Sequence, residues 1–192
     1  QAYPDLQLMA DANSAFTLAD TPLLQALDEL DLLMIEQPLA WHDIADHAQL
    51  QRVLKTPICL DESIQRPEDV ALAAQLGACR VVNVKVGRVG GLTAVKRIHD
   101  IAQQEGLDLW CGGMLEAGIG RATNLHLASL PGFTLPSDIS ASDRYYAQDI
   151  AAPTFALNPT DSTIAVPTGP GIGVSLVPEQ LARVTLNTAV FA

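Results

Sequence analysis

Residues 57–85 read PICLDESIQRPEDVALAAQLGACRVVNVK. Two apolar runs, 57–60 and 81–84, flank a helical pattern. Pro67 suits the first helical position, Val70, Ala73 and Leu76 recur at helical spacing, and Gly77 supplies a stop. The apolar runs are continuous rather than alternating. That implies burial on both faces and a parallel sheet. The stretch is therefore one strand–helix–strand unit, and each strand ends on a charged side chain, Asp61 and Lys85.

The same unit recurs upstream. Asp11 follows LQLMA and Glu36 follows LLMI, so Asp11, Glu36, Asp61 and Lys85 stand 25, 25 and 24 residues apart. That interval accommodates one strand, one helix and two loops. In a (β/α) barrel such strand ends converge on one face, where the chemistry is done. Strands are expected at 6–10, 32–35, 57–60, 81–84, 107–111 and 133–135, with helices between them. The fold expected is α/β, the C-terminal part of a (β/α) TIM-type barrel over 1–150, with about six of eight βα units. From 151 to 192 the pattern changes to a Pro/Gly-rich tail with short strands at 155–156, 162–166 and 173–176 and a weak helix at 178–183. That tail is expected to pack on the barrel or on another domain.

A net charge of −11 argues against nucleic acid as a partner, since phosphate binding needs a basic face. No apolar run reaches the ~20 residues of a membrane span. Cys59, Cys79 and Cys111 are odd in number, form no C-x-x-C and sit in apolar surroundings. They read as core thiols in a reducing, cytoplasmic setting.

Three oxygen-donor carboxylates in the same structural slot, without His or Cys, suit Mg²⁺ or Mn²⁺. Singly, each would read as a helix cap or turn residue. Lys85 is read as an acid/base group, with the metal and Arg88 expected to lower its pKa. It could instead snorkel at a barrel mouth or form a Schiff base. Gly87, Gly90 and Gly91 match no phosphate-loop pattern and read as a turn. In the run from Gly112 to Glu116, the glycines allow close backbone approach, and Met114 and Leu115 could form an apolar wall. Asp138 and Asp143 could be site residues or caps. His42 and His47 read as a solvated helix start, and His99 and His126 as surface or packing residues.

Asp11-Ala12-Asn13, Glu36-Gln37-Pro38-Leu39, Asp61-Glu62-Ser63 and Lys85-Val86-Gly87-Arg88 together resemble the enolase superfamily, in its muconate-lactonizing subgroup. GGMLEAGIGRA from Gly112 and DISASDRYY from Asp138 are similar to the branch of o-succinylbenzoate synthase and N-acylamino acid (N-succinylamino acid) racemase. The resemblance covers the whole chain. It implies that Asp11, Glu36 and Asp61 hold Mg²⁺, which takes the substrate carboxylate and stabilises an enediolate. It implies that Lys85 is one of two opposed lysines, steadying the enolate in the synthase and acting as a base in the racemase. Asn13 would support the metal shell, and Arg88 would act on Lys85 from behind. Gly113, Met114, Leu115 and Tyr145 would line the succinyl or acyl end of a small carboxylate substrate. A homo-oligomer is implied for the full-length protein.

The family's second lysine lies in a K-x-K motif on the strand before Asp11. Only ten residues precede Asp11 here and none is lysine. The chain is thus expected to be a fragment without that lysine and without the N-terminal capping domain, inactive and unstable alone. Dipeptide epimerase, muconate cycloisomerase, a Schiff-base aldolase using Lys85, and a non-catalytic barrel fragment remain as alternatives.

Overall fold

A computed structural model describes residues 6–190. The chain divides into two units. One runs to Trp110 and includes Gly132–Pro136; the other holds Cys111–Pro131 and the chain from Ser137 onward.

The first unit carries a five-stranded sheet in chain order: β1 (Ala10–Asp11), β2 (Ile35–Glu36), β3 (Ile58–Leu60), β4 (Val81–Val84) and β5 (Asp108–Cys111). The pairings β1–β2, β2–β3 and β3–β4 are parallel, with Asp11 opposite Glu36, Glu36 opposite Cys59, and Cys59 opposite Val81. Helices α1 (Thr21–Leu27), α2 (Ile44–Gln51), α3 (Pro67–Leu76) and α4 (Leu92–Glu105) alternate with the strands. The parallel α/β architecture is thus as expected. The sixth strand, expected at 133–135, is reduced to a single parallel bridge from Phe133 to Leu109. Pro131 and Pro136 bracket that segment and deny it ladder donors on either side.

Side chains alternate across a strand, so register fixes which residues share a face. Asp11, Met34, Glu36, Cys59, Asp61, Val81, Asn83 and Lys85 fall on one face by this count. Met34, Cys59, Val81 and Trp110 form a buried apolar cluster there, with Leu33 and Leu135 against it. Trp110 Nε1 donates to Cys59 Sγ at 3.3 Å, which satisfies the indole. Ile35, Ile58, Leu60, Val82 and Val84 point to the other face and are buried as well. Full burial of each such side chain contributes about 1.5–3 kcal/mol.

The helices start and stop where local chemistry dictates. At α3, Asp69 Oδ2 accepts the N–H groups of Gln65 and Arg66, both at 3.0 Å, and Gly77 ends the helix at φ 67°. At α2, Asp43 accepts the Asp46 N–H at 3.0 Å. His47, expected to be solvated, is fully buried. Its Nε2 accepts the Leu39 N–H at 3.1 Å, and its Nδ1 lies 2.6 Å from the Asp43 carbonyl oxygen. This pattern assigns the proton to Nδ1 of a neutral ring. The ring thereby fixes the loop from β2 to α2.

The second unit holds α5 (Gly118–Ala128), α6 (Pro178–Val184) and an antiparallel pair, β6 (Ala151–Ala152) with β7 (Ser175–Leu176). Of the tail strands expected, only the segment near 173–176 is extended and paired. Ala122, Leu125 and Phe155 form the core of this unit, with Ile139, Ile164, Ile172 and Val174 around it. All three cysteines are buried and free, and burial pushes the thiols of Cys79 and Cys111 up to about 12. They therefore behave as packing residues.

Burial holds the His47 pKa below the usual imidazole value, partly offset by Asp43. The unfolded chain therefore takes up this proton first as pH falls. Stability is predicted to decline through the usual imidazole range and to keep declining until the lower folded pKa is reached. The slope is at most about 1.4 kcal/mol per pH unit. Denaturant melts of wild type and His47→Gln between pH 7.5 and 5 check this. The stability gap between them should narrow as pH falls, and a constant gap would refute the assignment.

Candidate active site at the strand ends

Strands β1 to β4 deliver the charged series as the spacing requires. Asp11 and Glu36 end β1 and β2, Asp61 follows β3, and Lys85 follows β4. Backbone bonds hold the ends level: Ala12 N–H to Glu36 O at 2.9 Å, and Gln37 N–H to Cys59 O at 2.8 Å. Asp11 is exposed, whereas Glu36 and Asp61 are 3% and 2% exposed.

Asp61 is gripped from both sides. Lys85 Nζ donates to Oδ2 at 2.7 Å, and Arg88 Nη1 donates to Oδ1. Arg88 is itself fixed, with Nε on Ile64 O at 2.7 Å and Nη2 on Asn83 O at 2.8 Å. Arg88 was expected to act on Lys85 from behind; the two cations share Asp61. The lowering of the lysine pKa was expected from the metal together with Arg88; with Arg88 as the neighbouring cation the shift runs upward. Burial and Arg88 do work downward, but the hydrogen bond and charge of Asp61, aided by Glu36, raise Lys85 above its ordinary value.

Glu36 lies on the same face in an opposite electrostatic situation. Asn83 Nδ2 donates to Oε1 at 2.7 Å. Burial outweighs this bond, and the charges of Asp61 and Asp11 add to it, so the Glu36 carboxyl is pushed up to about 7. Asn83 Oδ1 is buried without a hydrogen-bond partner among the described residues.

Asp11 is near enough to Glu36 to repel it, yet no three His, Cys, Asp or Glu side chains among the described residues stand close enough to hold a metal ion as placed. The donor set nonetheless fits a divalent cation chemically. It offers only hard oxygens, and the like-charge repulsion at Glu36 is what a cation relieves. Asn13 sits beside Asp11, where its backbone N–H donates to Asp11 Oδ1 at 2.9 Å.

Sequence reading missed two amides and a hydroxyl. Gln37 Oε1 accepts the Asp61 N–H at 2.9 Å and the Ser63 N–H at 3.2 Å, and its Nε2 donates to Ser63 Oγ at 2.8 Å. Asn83 had a usable signal, being a polar residue inside a strand buried on both faces and two residues before Lys85. Gln37 had none.

The residues expected to line the substrate lie in the second unit. Gly113 N–H donates to Asp138 Oδ1, and a Cβ at Gly113 would meet the Asp138 carbonyl oxygen at 3.1 Å. The Met114 N–H is held by the Glu116 carboxylate at 2.8 and 2.9 Å. Met114 and Leu115 side chains are 57% and 66% exposed. Tyr145 is exposed under the Arg144 guanidinium, 5.8 Å from the ring centroid. It is the neighbouring Tyr146 whose hydroxyl donates to Leu115 O, at 2.6 Å.

Known proteins resemble this chain in sequence and in fold. Over 191 residues the chain is 53% identical to an o-succinylbenzoate synthase of Geobacillus kaustophilus, covering all of this chain and 50% of that one. It is 53% identical over 181 residues to an N-succinylamino acid racemase of an Amycolatopsis species, covering 94% of this chain and 48% of that one. A solved enolase superfamily member from Listeria innocua superposes with a TM-score of 0.90 at 49% identity, covering 95% of this chain and 48% of the other. The chain therefore spans about half the length of the curated relatives it matches. The family described as enolase C-terminal domain-like matches residues 1–180, and the chain belongs to that family of the enolase superfamily.

Proposed function

We propose that the protein is a Mg²⁺-dependent enzyme of the o-succinylbenzoate synthase and N-succinylamino acid racemase kind. It removes the proton α to a carboxylate of a small substrate. The observation that carries this reading is the Lys85–Asp61–Arg88 cluster beside a destabilised Glu36 at the carboxyl ends of parallel strands. The activities named for the o-succinylbenzoate synthase and N-succinylamino acid racemase relatives at 53% identity support it.

Asp11, Glu36 and Asp61 are the residues that would hold Mg²⁺. When bound, the ion supplies charge that anchors a carboxylate and steadies the anion formed by α-proton loss. Lys85 Nζ, donating to Asp61, is held as the ammonium, the form that offers charge and a proton to an anion. To accept a proton instead, as a racemase base must, Nζ has to leave Asp61 Oδ2. Arg88 keeps Asp61 Oδ1 and the β4 backbone in place during that exchange. Gly113, Met114, Leu115 and Tyr145 are proposed to contact the succinyl or acyl end. The same salt bridge disfavours an imine-forming role, which needs a free amine.

Deuterium incorporation at Cα of an N-succinylamino acid, followed by NMR, tests the reading in the protein as its source produces it. Exchange should require Mg²⁺ and stop with EDTA; a chelated protein that keeps its rate would sink the proposal. Asp61→Asn is predicted to lower kcat/KM by about 10²–10⁴-fold and to weaken Mg²⁺ binding.

Lys85→Met should lose about 10²–10⁴-fold in turnover while still binding Mg²⁺. Borohydride trapping of a carbonyl substrate on Lys85 would point to imine chemistry instead.

A further inference from the structure

We infer that Gln37 is the positioning residue that sets the mutual spacing of the three carboxylates, an inference that rests on reading them as a Mg²⁺ site. Gln37 follows Glu36 directly and is fully buried. Its φ of 37° lies in the left-handed region, uncommon for a residue with a side chain. A glycine would adopt this backbone without strain but would bring no side chain. The strain persists because the side chain and backbone are both over-determined here.

The backbone of Gln37 ties two neighbouring segments. Its N–H donates to Cys59 O on β3 at 2.8 Å, and its carbonyl accepts the Ser14 N–H from the loop after Asp11 at 2.8 Å. The side chain ties a third. Oε1 holds the N–H of Asp61 itself, while Nε2 donates to Ser63 Oγ and to Leu39 O, the latter at 3.1 Å. One residue thus joins the chain segments bearing Asp11, Glu36 and Asp61. No other bond described here reaches all three.

Gln51 supplies an internal contrast. It is also a buried glutamine that caps β3, but at the opposite end. Its Oε1 accepts the Ile58 N–H at 2.7 Å, and its Nε2 donates to Thr56 O at 3.2 Å. Both residues secure β3. Only Gln37 does so where the carboxylates stand. A purely structural role predicts equal consequences for the two; a positioning role predicts a difference confined to the metal.

Calorimetric titration of Mg²⁺ into the protein as its source produces it, with thermal melts of each variant, tests this. Gln37→Met is expected to lose about 10–100-fold in Mg²⁺ affinity, the usual effect of removing a group that orients a ligand. Gln51→Met should lower the melting temperature yet bind Mg²⁺ as wild type does. Ser63→Ala removes one of the two acceptors of Nε2 but leaves the Leu39 and Oε1 bonds, so its loss should be several-fold and smaller; it carries the test if Gln37→Met fails to fold. Wild-type affinity in the Gln37 and Ser63 variants, with Asp61→Asn impaired, overturns the role of Gln37 and leaves the metal reading standing. Equal losses in Gln37→Met and Gln51→Met also overturn it. Unchanged uptake in Asp61→Asn removes the metal site, and the proposal falls with it.

Discussion

Asp61 is an ionised carboxylate placed where almost no water reaches it, and the surrounding structure is organised to make that tolerable. Burying a charge costs several kcal/mol unless partners restore what water supplied. Lys85 and Arg88 take the two carboxylate oxygens, and Gln37 takes the backbone N–H of the same residue. Arg88 is held in turn by carbonyls of Ile64 and Asn83, and Asn83 reaches across to Glu36. The polar network therefore spans the ends of β2, β3 and β4. It rests on the apolar layer of Met34, Cys59, Val81 and Trp110 on the same sheet face. Such networks specify geometry well when every member is satisfied.

Glu36 is the member whose charge is least well answered. Burial and two like charges outweigh one amide contact and the charge of Lys85, and the balance leaves its carboxyl well above the ordinary range. Perturbation of this kind concentrates at functional sites because a purely structural position gains nothing from it. Asp61 has its charge answered by two cations from the chain itself. A divalent ion approaching this group would have to compete with Lys85 for Oδ2, whereas Arg88 could keep Oδ1. The carboxylate cluster and Lys85 are thus mechanically linked through a single oxygen atom.

The repeat of about 25 residues made the parallel sheet and the strand-end placement legible, because loop and helix lengths are tightly constrained in βα units. Period-two alternation, joined to the register of β1 to β4, then puts Asp11, Glu36, Asp61 and Lys85 on one face. What stayed hidden was hydrogen-bond detail. Lys85 was expected to be pulled downward by cations, but the distance from Nζ to Asp61, which no spacing reveals, reverses the sign. His47 in WHDIADH looked like part of a polar helix start, yet its ring satisfies two backbone groups in the interior. The expected strand at 133–135 failed because flanking prolines outweighed a short apolar run. The bonding role of Gln37 stayed hidden because a left-handed backbone at a non-glycine residue leaves no compositional trace.

In the second unit, rigidity and exposure are separated by atom type. The GGMLEAGIGRA and DISASDRYY stretches are stitched together through Gly113 to Asp138, Tyr146 to Leu115, and Arg121 Nε to Ser140 O at 2.6 Å. Arg121 is fully buried, and its Nη1 lies 3.8 Å from Asp149 Oδ2, a pairing too long for a hydrogen bond. Asp149 Oδ1 meanwhile accepts the N–H of Gly118 at 2.8 Å, at the start of α5. The backbone of Met114 and Leu115 is therefore fixed while their apolar side chains stand in solvent. Large apolar groups exposed on an anchored loop suit recognition better than packing, since the ordering entropy has already been spent in folding. Bonds to backbone rather than side chain also leave positions 114 and 115 free to vary in shape without loosening the loop.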